Sequence, residues 1–513
     1  MDMSQLYAPF RDGIRKLSLL RALERIWQLE RLAAVSGVIK LQVGGGPAID
    51  VYVWELHLLC REVVLHADGT EDVLATPTGL LQMIDHLRRI KTDISKRTIH
   101  SSNDAMKMLH PLMHQQGRWQ HSRDEARAFR AFHIFSDPEL APIFEKTTGV
   151  TVRAIFTMAL AIGGAAQQRP GTTATQDFTG FDVPDHVRDA FFRMAGGTLK
   201  EIRRDLTALQ CYDERWEFTW NALEGKPLIN TDDQHPDQFW CPLPGLLLRR
   251  VTEGLFYDLG KSKKFSNEYG HAFERYVGRV LHELFEADKF SVSAEQPYVV
   301  AGQEKHGTDW TVSDASGHLF IECKTRRITQ KAKEIAEGEA LNEVLDDLAG
   351  IIIQTYKNAD DATRGLATWK PGGLPIHPFV VTYEDWFLFA AHVVDHLTER
   401  VQHRLKEANL PATLTTTMPF FVTSISEFEM AGQDIARIGI HRFCTAVATT
   451  VKYRHFQLSA RAQQFFSNEV TPHRRLLESS WDEIFPKMRE WAGMAGVNED
   501  WWTQPGTGAG GAG

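Results

Sequence analysis

The chain has little of what usually announces a protein class. Five cysteines (Cys60, Cys211, Cys241, Cys323 and Cys444) stand among 513 residues, an odd number with no CxxC pair. That excludes a disulfide framework and a cysteine-built zinc site, and it predicts reduced thiols in a cytoplasm. Excess positive charge is lacking too: 57 Lys and Arg face 66 Asp and Glu, for a net charge of -9. No global basic signature points to nucleic acid, although a local basic patch is enough to hold a phosphate backbone. The most apolar stretch, Ala154 to Ala166, lies between Arg153 and Gln167, which is shorter than the ~20 residues a membrane span needs. The opening MDMSQLYAPFRDGIRKL lacks the apolar centre of a secretion signal. No repeat of fixed period is visible. The expectation is a cytoplasmic protein without membrane contact, long enough for roughly two to four domains.

What is present falls into regions. Residues 1–254 read as mostly helical, with apolar residues at three- and four-residue spacing in RKLSLLRALERIWQLERLAA and TPTGLLQMIDHLRRI. A β-like run, AIDVYVWEL, interrupts them. Residues 255–435 read as mixed α/β, with helices predicted over 267–287, 337–359 and 393–408. Residues 436–503 read as helical again. The final 504–513 contain little that could pack and read as a disordered tail.

The informative stretch is HGTDWTVSDASGHLFIECKTRR, residues 306–327. The composition of Asp314–Gly317 predicts a four-residue turn. Facing residues then sum to 631, so Asp309 falls opposite Glu322. Side chains alternate along a strand, which places Phe320, Glu322 and Lys324 on one face and Ile321 and Cys323 on the other. Facing carboxylates repel unless a cation lies between them. Magnesium suits such a pair, because it takes carboxylate oxygens and keeps waters for chemistry. A bare acid–x–lysine triplet is common at solvated strand ends. Here the acid in register, the core-like strand before Glu322 and the basic residues after it set the triplet apart. From Lys324 to Lys333 there are five cations (Lys324, Arg326, Arg327, Lys331, Lys333) and no acid, a composition suited to a phosphate backbone. On the preceding helix, Phe273, Val277, Val280, Leu281, Leu284 and Phe285 share an arc of about 140° on a helical wheel. Glu274 is the charged residue inside that arc, costly there unless paired or bound.

FERYVGRVL, GTDWTV and FIECKTR together resemble the PD-(D/E)XK, or restriction-endonuclease-like, nuclease superfamily. The resemblance covers roughly residues 260–430. It implies an α/β core of helix, strand, strand, strand, helix and strand, flanked here by helical regions. It also implies metal-dependent hydrolysis of phosphodiesters with Mg²⁺ or Mn²⁺. Carried over, Asp309 and Glu322 would be metal ligands, with the main-chain carbonyl of Cys323 a further ligand and Glu274 the helix acid. Lys324 would be the catalytic lysine. Thr308 stands where the family has proline. Arg326, Arg327 and Lys331, with Gln354 and Lys357 from IIIQTYKNA, would bind phosphate. DNA is the favoured substrate, and a regulated effector of bacterial restriction or anti-phage defence is the setting suggested by analogy. An RNA-directed nuclease and a non-enzymatic assembly module remain open. The helical flanks are expected to recognise a partner, or a second copy of the chain, and to restrain cutting.

Three weaker signals receive bland readings. GLFYDLGKS (254–262) has five residues between its outer glycines where a phosphate-binding loop has four. VGGGP (43–47) reads as a turn. His392 and His396 lack the glutamate of a zinc-protease helix and read as surface residues.

Overall fold

Ser262 opens the helix that carries the first candidate acid. Its hydroxyl accepts from Phe265 N at 3.4 Å, and the helix, α1 (Lys263–Leu284), continues with Phe265, Tyr269, Phe273, Val277, Val280 and Leu284 buried on one side. Such a stripe commits the helix to a core. In the computed structural model, which describes residues 3–33, 37–120, 124–388, 391–449, 456–477 and 480, that core is a mixed sheet. Along the chain come β1 (Ser291–Ala294), β2 (Trp310–Ser313), β3 (His318–Lys324), α2 (Gln330–Glu334), α3 (Glu339–Thr363), β4 (Ile376–Thr382), α4 (Ala391–Glu407), β5 (Phe421–Ser424) and α5 (Ile425–Ile438).

The five strands lie in the order β5-β4-β3-β2-β1. Neighbours β1, β2 and β3 run antiparallel, whereas β3, β4 and β5 run parallel, joined through α3 and α4. Parallel strands need such crossovers. The β2–β3 register is the one the spacing predicts, with Trp310 opposite Ile321 and Ser313 opposite His318. Its turn is fixed by Asp314 Oδ1, which accepts from Ser316 N at 2.7 Å and Gly317 N at 2.9 Å. Strand β3 is buried from His318 to Cys323, and its last residue, Lys324, reaches partial exposure.

The flanks hold more strand than periodicity suggests. Gly171–Thr173, Gln238–Trp240, Leu228–Asn230 and Gly196–Thr198 form a second, four-stranded sheet. The run AIDVYVWEL divides: Ile49–Tyr52 is a strand, and Val53–His66 is a helix. The helix starts there because Glu55 Oε2 accepts from Tyr52 N at 3.0 Å. From that point Val53, Leu56, Cys60 and Val63 repeat with helical spacing. Residues 250–259 are continuously helical, so GLFYDLGKS makes no phosphate loop. VGGGP lies in the connection between the paired strands Val38–Leu41 and Ile49–Tyr52.

One hydrophobic core joins α1, α5 and the sheet to the helices Asp124–Phe135, Val152–Ala166 and Asp185–Ala195. A second gathers side chains from residues 7–94 and 202–246, and a third lies between α3 and α4. Packing therefore crosses the expected boundary at 254/255, where the Phe135 ring lies tilted against Tyr269 at 5.5 Å between centroids. Among the described residues no single helix is long and apolar enough to cross a membrane, and Val152–Ala166 is instead a largely buried core helix. Residues 481–503 and the tail 504–513 lie outside the described residues.

Candidate functional site

The sheet brings acids together at the end of β3. By the register of the hairpin, Asp309 stands opposite Glu322, one residue before the β2 ladder begins. Asp309 O accepts from Glu295 N at 2.9 Å, so the chain leaving β1 ends beside it. Asp309 Oδ2 accepts from Cys323 N at 2.6 Å. In an extended strand a residue's N–H and C=O leave on the same side, so the carbonyl of Cys323 faces the edge occupied by Asp309. The Cys323 thiol is buried and packs into the core below.

Helix α1 is pinned to this corner at the position of its acid. Trp310 Nε1, from the residue after Asp309, donates to Glu274 O at 3.0 Å. The indole lies so close to the helix that a Cβ on Gly278 would come within 2.1 Å of it. Glycine is required there by close approach.

Electrostatics reports the crowding. Glu322 is 1 % exposed, and burial, then the charge of Asp309, pushes its carboxyl up to about 7, against the pull of Lys324. Burial also pushes Asp309 up, although Lys324 and the Cys323 N–H oppose it. Glu274 rises through burial and then the charge of Asp309. The charge of Glu295 adds to the rise of both Asp309 and Glu274. Lys324 Nζ lies 2.5 Å from Glu322 Oε1. Burial alone would lower its pKa, but Glu322 and Asp309 hold it raised, so it stays charged. His271 sits 3.7 Å from Glu274, and His306 sits 2.9 Å from Glu295. One lysine and two histidines thus stand among four carboxylates.

Glu295 was not among the residues picked from sequence. Its signal was positional: it is the acid directly after β1, the strand next to Asp309. Glu322 Oε2 is buried and makes no hydrogen bond. Among the described residues no group of three or more His, Cys, Asp or Glu side chains is closed around one point as a ligand set. Lys324 occupies one oxygen of Glu322, and the Cys323 N–H occupies one of Asp309.

The expected phosphate binders are placed differently. Arg326 is exposed but ion-paired with Asp347. Arg327 does not reach outward: its guanidinium lies over Phe256, Tyr257 and Tyr383 at 4.1, 5.1 and 5.0 Å. A cation on aromatic faces is a packing arrangement, and the phosphate role is withdrawn for Arg327. Lys331 is exposed on α2, while Lys333 is buried and ion-paired with Glu384. Gln354 and Lys357 are exposed on α3, and no hydrogen bond or ion pair among the described residues joins them to the carboxylates. Asn358, beside Lys357 on the same helix, accepts from the Tyr298 hydroxyl at 3.2 Å. His392 and His396 are engaged separately, by Ala336 O at 2.9 Å and Glu399 at 3.6 Å.

Compared with known proteins, the chain matches no family model, no curated protein and no solved structure.

Proposed function

We propose that this protein is a metal-dependent nuclease whose centre is built from Glu274, Asp309, Glu322 and Lys324. The observation that carries this reading is a deeply buried glutamate with one oxygen unpaired, its carboxyl raised first by burial and then by neighbouring carboxylates, and answered by one lysine. The order α1, β1, β2, β3, α3, β4 agrees with the core that the resemblance implies. Carboxylate oxygens and a main-chain carbonyl are the donors that hard divalent cations select. Asp309, Glu322, Glu274 and the Cys323 carbonyl would hold Mg²⁺ or Mn²⁺. Such an ion, when bound, supplies Lewis acidity and an acidified water.

This chain's own residues do the rest. Glu322 on β3 and Asp309 just before β2 fix the position of the site. Lys324, charged and partly exposed at the strand end, would contact the scissile phosphate and orient an attacking water. Trp310 and Gly278 hold α1 in register so that Glu274 stays at the corner. DNA remains the favoured substrate, with action on RNA drawing on the same chemistry. Participation in restriction or anti-phage defence, and restraint of cutting by the flanks with a partner or second copy, belong to the same proposal. A nuclease-like module kept for binding is the second reading, favoured by the lysine that already neutralises Glu322. The two readings separate on incubation of the purified chain with plasmid, linear duplex, single-stranded DNA and RNA in Mg²⁺, Mn²⁺ or EDTA. Cleavage that requires metal and disappears in Glu322→Gln supports the nuclease. Intact substrates under every condition support the binding module.

A further inference from the structure

The face of the sheet that carries the carboxylates also holds a narrow slot. Thr311 and Phe320 face each other across β2 and β3, two residues along from Asp309 and Glu322, or about 7 Å. Alternation puts both pairs on one face, so slot and carboxylates are neighbours by register. Thr308, Thr311, Phe320, Asn358 and Trp369 wall the slot, and Ala294 and Gln296 are exposed at its rim. Between those two stands Glu295, whose charge bears on Asp309 and Glu274. The slot has about 390 Å³ of empty space counted out to its open mouth, yet water centres fit within only about 30 Å³ of it. A gap that just admits a planar ring about 3.4 Å thick leaves a water of about 2.8 Å diameter only ~0.6 Å of play. Such a volume at that thickness spreads over about 50 Å², room for one ring.

The walls combine rings with unsatisfied polarity. Trp369 meets the buried Phe320 ring edge-on, at 5.0 Å between centroids. The hydroxyls of Thr308 and Thr311, both buried, lie 3.4 Å apart. Asn358 is 7 % exposed; its Oδ1 accepts from Tyr298, but its Nδ2 has no hydrogen-bond partner. A buried amide left half satisfied is costly, and a ligand with an acceptor at that point would relieve it. Water can serve the polar atoms but gains nothing from the rings. A nucleobase uses both, with a flat face for the aromatic wall and an edge of carbonyl oxygens and ring nitrogens for the amide. Proteins that act on nucleic acid read an extruded base in this manner. A base held inside a duplex has both faces stacked and cannot enter.

We infer that the slot receives one unstacked base of a bound strand and sets it beside the carboxylate centre, with Asn358 Nδ2 donating to its edge. This inference rests on the nuclease reading for its purpose, but binding can be measured without cleavage. The test is fluorescence anisotropy with the full-length chain in EDTA, using a labelled DNA duplex with one bulged base and the same duplex fully paired. The parent should prefer the bulged duplex roughly 10-fold, the scale of one base stacked on an aromatic wall. Ala294→Trp, a change at the exposed rim that closes the mouth, should remove the preference. Asn358→Leu should reduce it about 3-fold, the scale of one hydrogen bond. Both variants should bind the paired duplex within about 2-fold of the parent. Asn358→Leu should melt no lower than the parent, because it removes a half-satisfied amide while Tyr298 keeps its bond to Asp361 Oδ2 at 2.9 Å. Should it unfold, the surface variant Ala294→Trp decides alone. Equal binding of the two duplexes by the parent, an undiminished preference in Ala294→Trp, or no binding of either duplex would each overturn the inference and leave the slot to water only. Metal-dependent cleavage of the paired duplex in a separate reaction would keep the nuclease reading in each of those cases. A bulge preference lost in Ala294→Trp, without any cleavage, would keep the slot and remove the nuclease.

Discussion

Neutralising Glu322 should stabilise the metal-free protein, and only above acid pH. The carboxyl is raised from 4.5 to about 7, chiefly by burial and then by Asp309. The folded state therefore holds a proton that the unfolded state releases earlier. The contribution is neutral below about pH 4.5, grows steadily more unfavourable between about pH 4.5 and 7, and stays constant above that. That rise, at ~1.36 kcal/mol for each tenfold change in proton affinity, gives a cost on the order of 3 kcal/mol at pH 8. Glutamine mimics the protonated acid and can still accept from Lys324 Nζ through its oxygen. Glu322→Gln should match the parent near pH 4.5 and exceed it at pH 8, by roughly 6 °C at about 2 °C per kcal/mol for a large domain. Thermal unfolding of both proteins across this range in EDTA checks the claim, because titrating groups outside the cluster cancel in the difference. Adding Mn²⁺ should then raise the parent's melting temperature and leave the variant's unchanged. A variant less stable than the parent at pH 8 without metal would refute the reasoning.

Three further outcomes follow from the same geometry. Lys324→Ala should lower turnover by ~10²-fold or more while preserving metal binding, read by single-turnover cleavage and calorimetry; loss of both together would make Lys324 structural. Gly278→Ala should cost about 1–3 kcal/mol in urea unfolding and reduce cleavage, because its new Cβ would drive into Trp310 and break the indole bond to Glu274 O. The fragment 255–435 should fail to unfold cooperatively by calorimetry, since Phe129, Phe135, Phe144 and Ile155 belong to the core of its sheet.

The hairpin was legible because strand periodicity and turn composition act locally. Once Asp314–Gly317 was taken as the turn, the pairing of Asp309 with Glu322 followed from counting. Helix α1 was legible from its apolar stripe, within four residues at either end. The small flanking sheet was not, because strands such as Gly171–Thr173 are three residues long and carry no periodicity. Arg327 was misread for a different reason. Its neighbours in sequence are charged, whereas its neighbours in space are Phe256, Tyr257 and Tyr383, brought in from two distant segments. Glu295 was missed because its position matters only once β1 is known to lie beside β2.

The most direct test of the carboxylate centre is titration of Mn²⁺ into the metal-free parent chain and into Glu322→Gln, followed by calorimetry or electron paramagnetic resonance. The account predicts saturable binding by the parent, accompanied by proton release below about pH 7 as Glu322 ionises, and loss of that binding in the variant. Equal Mn²⁺ binding by the two proteins would contradict it.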